Sequence, residues 1–184
     1  MQIIKYLLII SITLIFSNQV KSNENIINSL KEGGKIIFIR HALAPGNGDP
    51  ENFDINDCSS QRNLSNKGIN QSKIIGKFFL QNKIKIDKVL SSEWCRCKDT
   101  AYHSFKNFET FNALNSFYDI KFAQNKKKQI KELKNYIKKW NSDKNLVLVT
   151  HYVVILEMLG QSVSSGEIVI SDKIYNIIGS IKTM

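Results

Sequence analysis

Lys35–Ile39 (KIIFI) and Asn145–Thr150 (NLVLVT) constrain the fold of this chain more than any other feature. Both are short, continuous apolar runs rich in Ile and Val. That is the pattern of a strand covered on both faces in a parallel sheet. Each runs straight into chemistry: Arg40-His41 follows the first, and Thr150-His151 closes the second. The chain has only three histidines, so two at strand ends are informative. Open α/β sheets bind ligands beyond the carboxyl ends of their strands.

The intervening sequence supplies the helices such a sheet needs. Asn25–Lys31 reads as a short helix, broken by Gly33-Gly34. A polar loop from Ala42 to about Asn63 carries the turn residues Gly46, Gly48, Asp49 and Pro50. Ser65 reads as the N-cap of a helix over 66–81, with Ile69, Ser72, Ile75, Gly76 and Phe79 on one face. Lys88–Ser91 is a second strand, and Ser92 is placed to cap the helix after it. Cys97, Ala101, Ser104 and Phe105 share a face there, and His103 on the same helix is expected to be structural or at the surface. Thr110–Leu114 reads as a third strand. The lysine-rich run 126–139 has a narrow apolar stripe, Ile130, Leu133, Ile137 and Trp140, and reads as a packed helix with a solvated face. A helix over 153–159 and closing strands at Glu167–Ser171 and Tyr175–Ile181 complete the pattern. Strands alternating with amphipathic helices predict a three-layer α/β/α domain with a mainly parallel sheet.

Residues 1–22 read as a secretory signal. Lys5 gives the positive start, Tyr6–Phe16 is apolar, and Val20 and Ser22 sit at −3 and −1 of a cut before Asn23. Eleven residues of helix span about 16 Å, against roughly 30 Å of hydrocarbon, so a transmembrane helix is the weaker reading. The chain is thus expected to be exported, periplasmic or extracellular, touching a membrane only through this segment if it stays uncleaved. The remaining residues, 23–184, are expected to form one domain. The formal charge of +10 suits an anionic partner, and without an aromatic-interleaved basic motif no nucleic-acid partner is expected.

A third element joins the two histidines. Ser91-Ser92-Glu93-Trp94-Cys95-Arg96 runs from a strand end into a helix start, which brings Arg96 to the same edge. Arginine forks match phosphoryl oxygens, helix starts offer free N–H groups, and a neutral imidazole can attack phosphorus. With Ile37–Ala42 (IFIRHA), Gln61–Gly68 (QRNLSNKG), Ser91–Ala101 (SSEWCRCKDTA) and Val147–His151 (VLVTH), the chain resembles the histidine phosphatase superfamily, also called phosphoglycerate mutase-like. The resemblance runs from about Gly33 to Ile170. It implies His41 as the phosphorylated nucleophile, Arg40 and Arg96 as the clamp on the phosphoryl oxygens, and His151 completing the pocket. It implies no metal and no cofactor. The substrate would be an anionic phosphorylated small molecule, an envelope sugar phosphate or a phosphoprotein. Asn47 lies where some members contact the phosphate. Arg62 either reaches the pocket rim or packs and pairs at the surface.

Departures from the family pattern are a subgroup mark after the first histidine and, more important, the acid that protonates the leaving group. Ala42 stands where many members have glycine. One branch has Asp directly after the second histidine, where this chain has Tyr152. Another uses a mid-chain acid, for which Asp119 is the nearest candidate, with Glu93 a second and expected to be exposed. The alternative reading is therefore a protein of the same fold that binds phosphate ligands with little or no turnover. No Cys-x-x-Cys supports a redox protein built on Cys95 and Cys97, and no metal-ligand spacing is present. Cys58 has two possible bridging partners, Cys95 and Cys97, and three unpaired thiols is the other alternative.

Overall fold

Alternating side chains along the central strands sort this chain into layers. The computed structural model describes residues 24–184; the expected signal segment, 1–22, lies outside them. Helix α1 covers 24–32. It is followed by β1 (Ile36–Arg40), α2 (Asn66–Gln81), β2 (Ile86–Ser91), α3 (Cys95–Phe105) and β3 (Glu109–Thr110). Then come α4 (Ile120–Ala123), α5 (Lys126–Lys139), β4 (Asn145–Thr150), α6 (Tyr152–Leu159), β5 (Ile168–Ser171) and β6 (Ile177–Ile181). These strands form one sheet in the order β3-β2-β4-β1-β5-β6. β3, β2, β4 and β1 are parallel, and β5 turns antiparallel to both β1 and β6.

On one face Ile36 and Phe38 join Leu146 and Leu148 beneath α5 and α6, through Leu133, Ile137 and Ile155. On the other, Ile37 and Ile39 join Val147 and Val149 beneath α1, α2 and α3, through Leu30, Ile75, Phe79 and Ala101. Both faces of β1 and β4 are dry, which is why their sequences are continuous apolar runs rather than alternating ones. Ser65 caps α2 as expected, its side chain accepting from the Gly68 N–H. Gly76 lets α2 approach α3: a Cβ there would lie 2.2 Å from the Ser104 carbonyl oxygen. Among the described residues no helix is long and apolar enough to cross a membrane.

Two local expectations fail. The strand expected at Thr110–Leu114 ends at Thr110, and Asn112–Leu114 is a 3-10 turn. Ala113 and Leu114 are drawn into the core, and the Leu114 carbonyl takes the Thr150 hydroxyl at 2.6 Å, so burial wins over strand propensity. Ser92 does not cap α3; Trp94 holds that position with no side-chain cap. The Ser92 hydroxyl is engaged with Asn115 and His151 instead.

The register carries the strand ends to one place. Arg40 pairs with Thr150, and Ser91 pairs with Val149. The next residues continue the ladder: His41 N–H donates to the Thr150 carbonyl and Ser92 N–H to the Val149 carbonyl, both at 2.9 Å. β4 lies between β1 and β2, so the chain leaves adjacent strand ends in different directions and a crevice opens there.

Candidate active site

A cavity of about 300 Å³ lies over those strand ends. Arg40, His41, Arg62, Arg96 and His151 line it, as do Asn47 and Asp119, so the tertiary fold gathers every residue singled out for the site except the second candidate acid, Glu93.

His41 is buried, and its Nδ1–H donates to its neighbour's carbonyl, Ala42 O, at 2.8 Å. The carbonyl can only accept, so the proton sits on Nδ1 and Nε2 keeps its lone pair. Burial, then the charges of Arg96, Arg40 and Arg62, push its pKa well below the ordinary histidine value against a smaller upward pull from the Ala42 carbonyl. The His151 ring stands edge-on to it at 5.5 Å between centroids. Burial likewise holds His151 down, followed by the charge of Arg96. The Ser92 hydroxyl gives its proton to Asn115 Oδ1 at 3.0 Å, which leaves His151 Nε2 to donate to Ser92 Oγ at 2.9 Å. Ser92 thus orients His151.

The three arginines are held differently. Arg40 Nη1 donates to the Val163 carbonyl at 2.7 Å. Arg62 donates through Nε to Gly48 O at 2.7 Å and through Nη1 to Ala44 O, so it both lines the cavity and holds the loop that forms its rim. Arg96 comes from the first turn of α3, and both its terminal nitrogens bind Asp49, at 2.7 and 3.1 Å. The Asp49 carboxylate also accepts from Trp94 Nε1 at 3.0 Å and the Arg62 N–H at 3.1 Å. Burial alone would raise its pKa, but the bond and charge of Arg96 prevail and hold it below the usual carboxylate range. Two buried guanidinium donors, Arg40 Nε and Arg96 Nε, have no hydrogen-bond partner. Buried unpaired donors are rare and mark a place for an acceptor.

The weaker candidates resolve unequally. Asn47 is exposed on the rim. Asp119 lines the cavity while its Oδ1 caps α4 by accepting from the Lys121 N–H at 3.0 Å. Glu93 is half-buried rather than exposed, accepts from Asn115 Nδ2 at 2.6 Å and does not line the cavity. Cys58 pairs with Cys95 in a disulfide, leaving Cys97 as a buried thiol whose pKa burial pushes up to about 12.

Sequence reasoning passed over Asp49 and the role of Ser92 beside His151. Asp49 reads as one more turn residue between Gly48 and Pro50, and no local signal shows that its partner is 47 positions away. Among the described residues no group of three His, Cys, Asp or Glu side chains is placed to hold a metal ion.

No family model matches the sequence, and no curated protein matches it. Solved structures do match the fold. The protein histidine phosphatase SixA, solved with tungstate, superposes with a TM-score of 0.57 at 15% identity over 81% of this chain and 97% of that one. Phosphoglycerate mutase from Thermus thermophilus superposes with a TM-score of 0.57 at 14% identity, over 80% of this chain and 98% of that one. The sheet order, the covering helices and these superpositions agree: the chain has the phosphoglycerate mutase-like α/β fold.

Proposed function

We propose that this chain is an exported, metal-independent phosphatase that carries its phosphoryl group on His41 Nε2. One observation carries the reading. With its Nδ1–H committed to Ala42 O, a neutral His41 offers its Nε2 lone pair inside a cavity shared with three guanidiniums. The unpartnered Nε–H groups of Arg40 and Arg96 are donors suited to the equatorial oxygens of a transferring phosphoryl group. In the first step the Nε2–P bond forms and the P–O bond to the leaving group breaks, the leaving oxygen taking a proton from Asp119 or water. Water then attacks phosphorus, the N–P bond breaks, and orthophosphate leaves with His41 neutral again. The tungstate in the SixA structure is a tetrahedral oxyanion, in keeping with a phosphate site on this fold.

Export is supported by the sequence of residues 1–22 and by the Cys58–Cys95 bond, a kind that persists in oxidising compartments. Tyr152, standing beside His151 in place of an acid, favours a second reading: binding of a phosphate ligand without turnover. The test is phosphate release from p-nitrophenyl phosphate and acetyl phosphate in EDTA. Activity that survives EDTA and vanishes in His41→Ala supports the phosphatase. Activity that persists in His41→Ala refutes the nucleophile. If neither protein hydrolyses and both bind inorganic phosphate alike, the binding protein is the answer.

A further inference from the structure

The cavity does not end at its arginines and histidines. From His151 outward one wall is aromatic. The Trp94 ring meets the His151 ring edge-on at 5.4 Å, and Phe122 meets Trp94 edge-on at 5.4 Å. Phe53 backs both, stacked on Trp94 at 5.1 Å and edge-on to Phe122 at 5.7 Å. Trp94 is 2% exposed, yet it lines the cavity together with Phe122, Tyr118 and Tyr152. Its indole N–H is already given to Asp49, so the small part of Trp94 that meets the cavity offers no free polar atom. Phe122 is carried by the short α4, and Tyr118, 65% exposed, stands at the mouth.

We infer that this wall is a leaving-group subsite for the phosphatase proposed above, and that the substrate is a phosphate monoester of a flat aromatic alcohol, an aryl phosphate. Three features converge. Offset or edge-on contacts to Phe122 and Tyr118, with Trp94 packed behind Phe122, suit a planar ring bonded to the phosphoryl oxygen. The cavity's 300 Å³ is at the small end of the range of about 300–1,000 Å³ typical of small-molecule sites, enough for a phosphoryl group and one ring. Finally, no carboxyl group follows His151. A phenol ionises near pKa 10, so a phenolate can leave with little proton assistance where an alkoxide cannot. As the His41 Nε2–P bond forms, the P–O bond to the ring oxygen breaks and the phenolate takes its proton from water.

Intrinsic reactivity also favours aryl esters, so the test uses ligands that cannot react. Phenylphosphonate, cyclohexylphosphonate and 2,3-dihydroxypropylphosphonate are compared as competitive inhibitors of p-nitrophenyl phosphate hydrolysis by the full chain, and their binding is measured by calorimetry. Phenylphosphonate is expected to bind about tenfold tighter than either of the others, as two aromatic contacts predict. That advantage is expected to shrink several-fold in Phe122→Leu and in Tyr118→Ala, with methylphosphonate unchanged. Phe122 and Tyr118 are partly exposed, so these variants keep the test open if Trp94→Leu fails to fold. Equal binding of the three ligands, or preference for the hydroxylated one, overturns the subsite and leaves the phosphatase standing. No binding of any phosphonate while p-nitrophenyl phosphate is still hydrolysed overturns the subsite alone, and no binding together with no hydrolysis overturns both. Comparing phenyl phosphate with a phosphotyrosine peptide as substrates then separates a free phenol from a tyrosine as the source of the ring.

Discussion

Replacing Cys58 and Cys95 together by alanine cuts the covalent tie between the polar loop and the start of α3. The two cysteines are 37 positions apart. Closing a loop of that size in the unfolded chain lowers its entropy by an amount equivalent to roughly 4 kcal/mol at 25 °C. For a domain of this size, each kcal/mol moves Tm by about 2–4 °C, so the double variant is expected to melt about 8–16 °C lower. The loss is local as well. Cys95 precedes Arg96, and its backbone N–H donates to Gln61 Oε1 at 2.9 Å, so the bridge holds the segment that positions both Arg62 and Arg96. Thermal unfolding is followed for the oxidised protein, the protein with reductant and the double variant. Alkylation with mass analysis should find one thiol, Cys97, reactive only after unfolding. A Tm within about 2 °C of the parent would refute the loop-entropy reasoning. Free Cys58 thiol in the native protein would refute the pairing itself.

Three further outcomes are expected. Asp49→Ala leaves the Arg96 charge buried without its partner, the two side chains being 12% and 4% exposed, and urea unfolding should show a loss of about 3–5 kcal/mol. Inorganic phosphate should raise the Tm of this variant more than that of the parent; an equal rise would argue against Asp49 and phosphate sharing Arg96. His41 and His151 are both held unprotonated in the fold, whereas the unfolded chain protonates them near pH 6.5, so stability falls with acid. Two such groups cost on the order of 1–3 kcal/mol between pH 7.5 and 5.5, and urea midpoints flat over that range would contradict the burial of neutral rings. Gly76→Ala puts a methyl group against the Ser104 carbonyl and should destabilise by about 1–3 kcal/mol, a cost that unchanged urea unfolding would disprove.

Much of the site was legible because its parts sit at ends of locally encoded elements. Arg40-His41 and Thr150-His151 follow runs whose apolar continuity marks buried parallel strands, and Arg96 follows a strand-to-helix junction. The helices were readable from periodicity, as at Ile75 and Phe79 or at Leu133 and Ile137. The strand expected at Thr110–Leu114 failed because Leu114 finds its burial in a turn, a tertiary gain that outweighs local propensity.

By itself, the sequence determined the order of strands and helices, which strand ends bear histidine and arginine, and that two strands are buried on both faces. These follow from side-chain spacing over a few residues, which the backbone repeats of 2 and 3.6 convert directly into faces. The tertiary structure alone decided that Cys58 joins Cys95 rather than Cys97, that Asp49 binds Arg96, that Ser92 serves His151 instead of capping α3, and that Trp94, Phe122 and Phe53 gather into one wall. Each depends on where a long polar loop or a distant helix comes to rest against the sheet. That position is set by packing between segments tens of residues apart, and no local pattern encodes it.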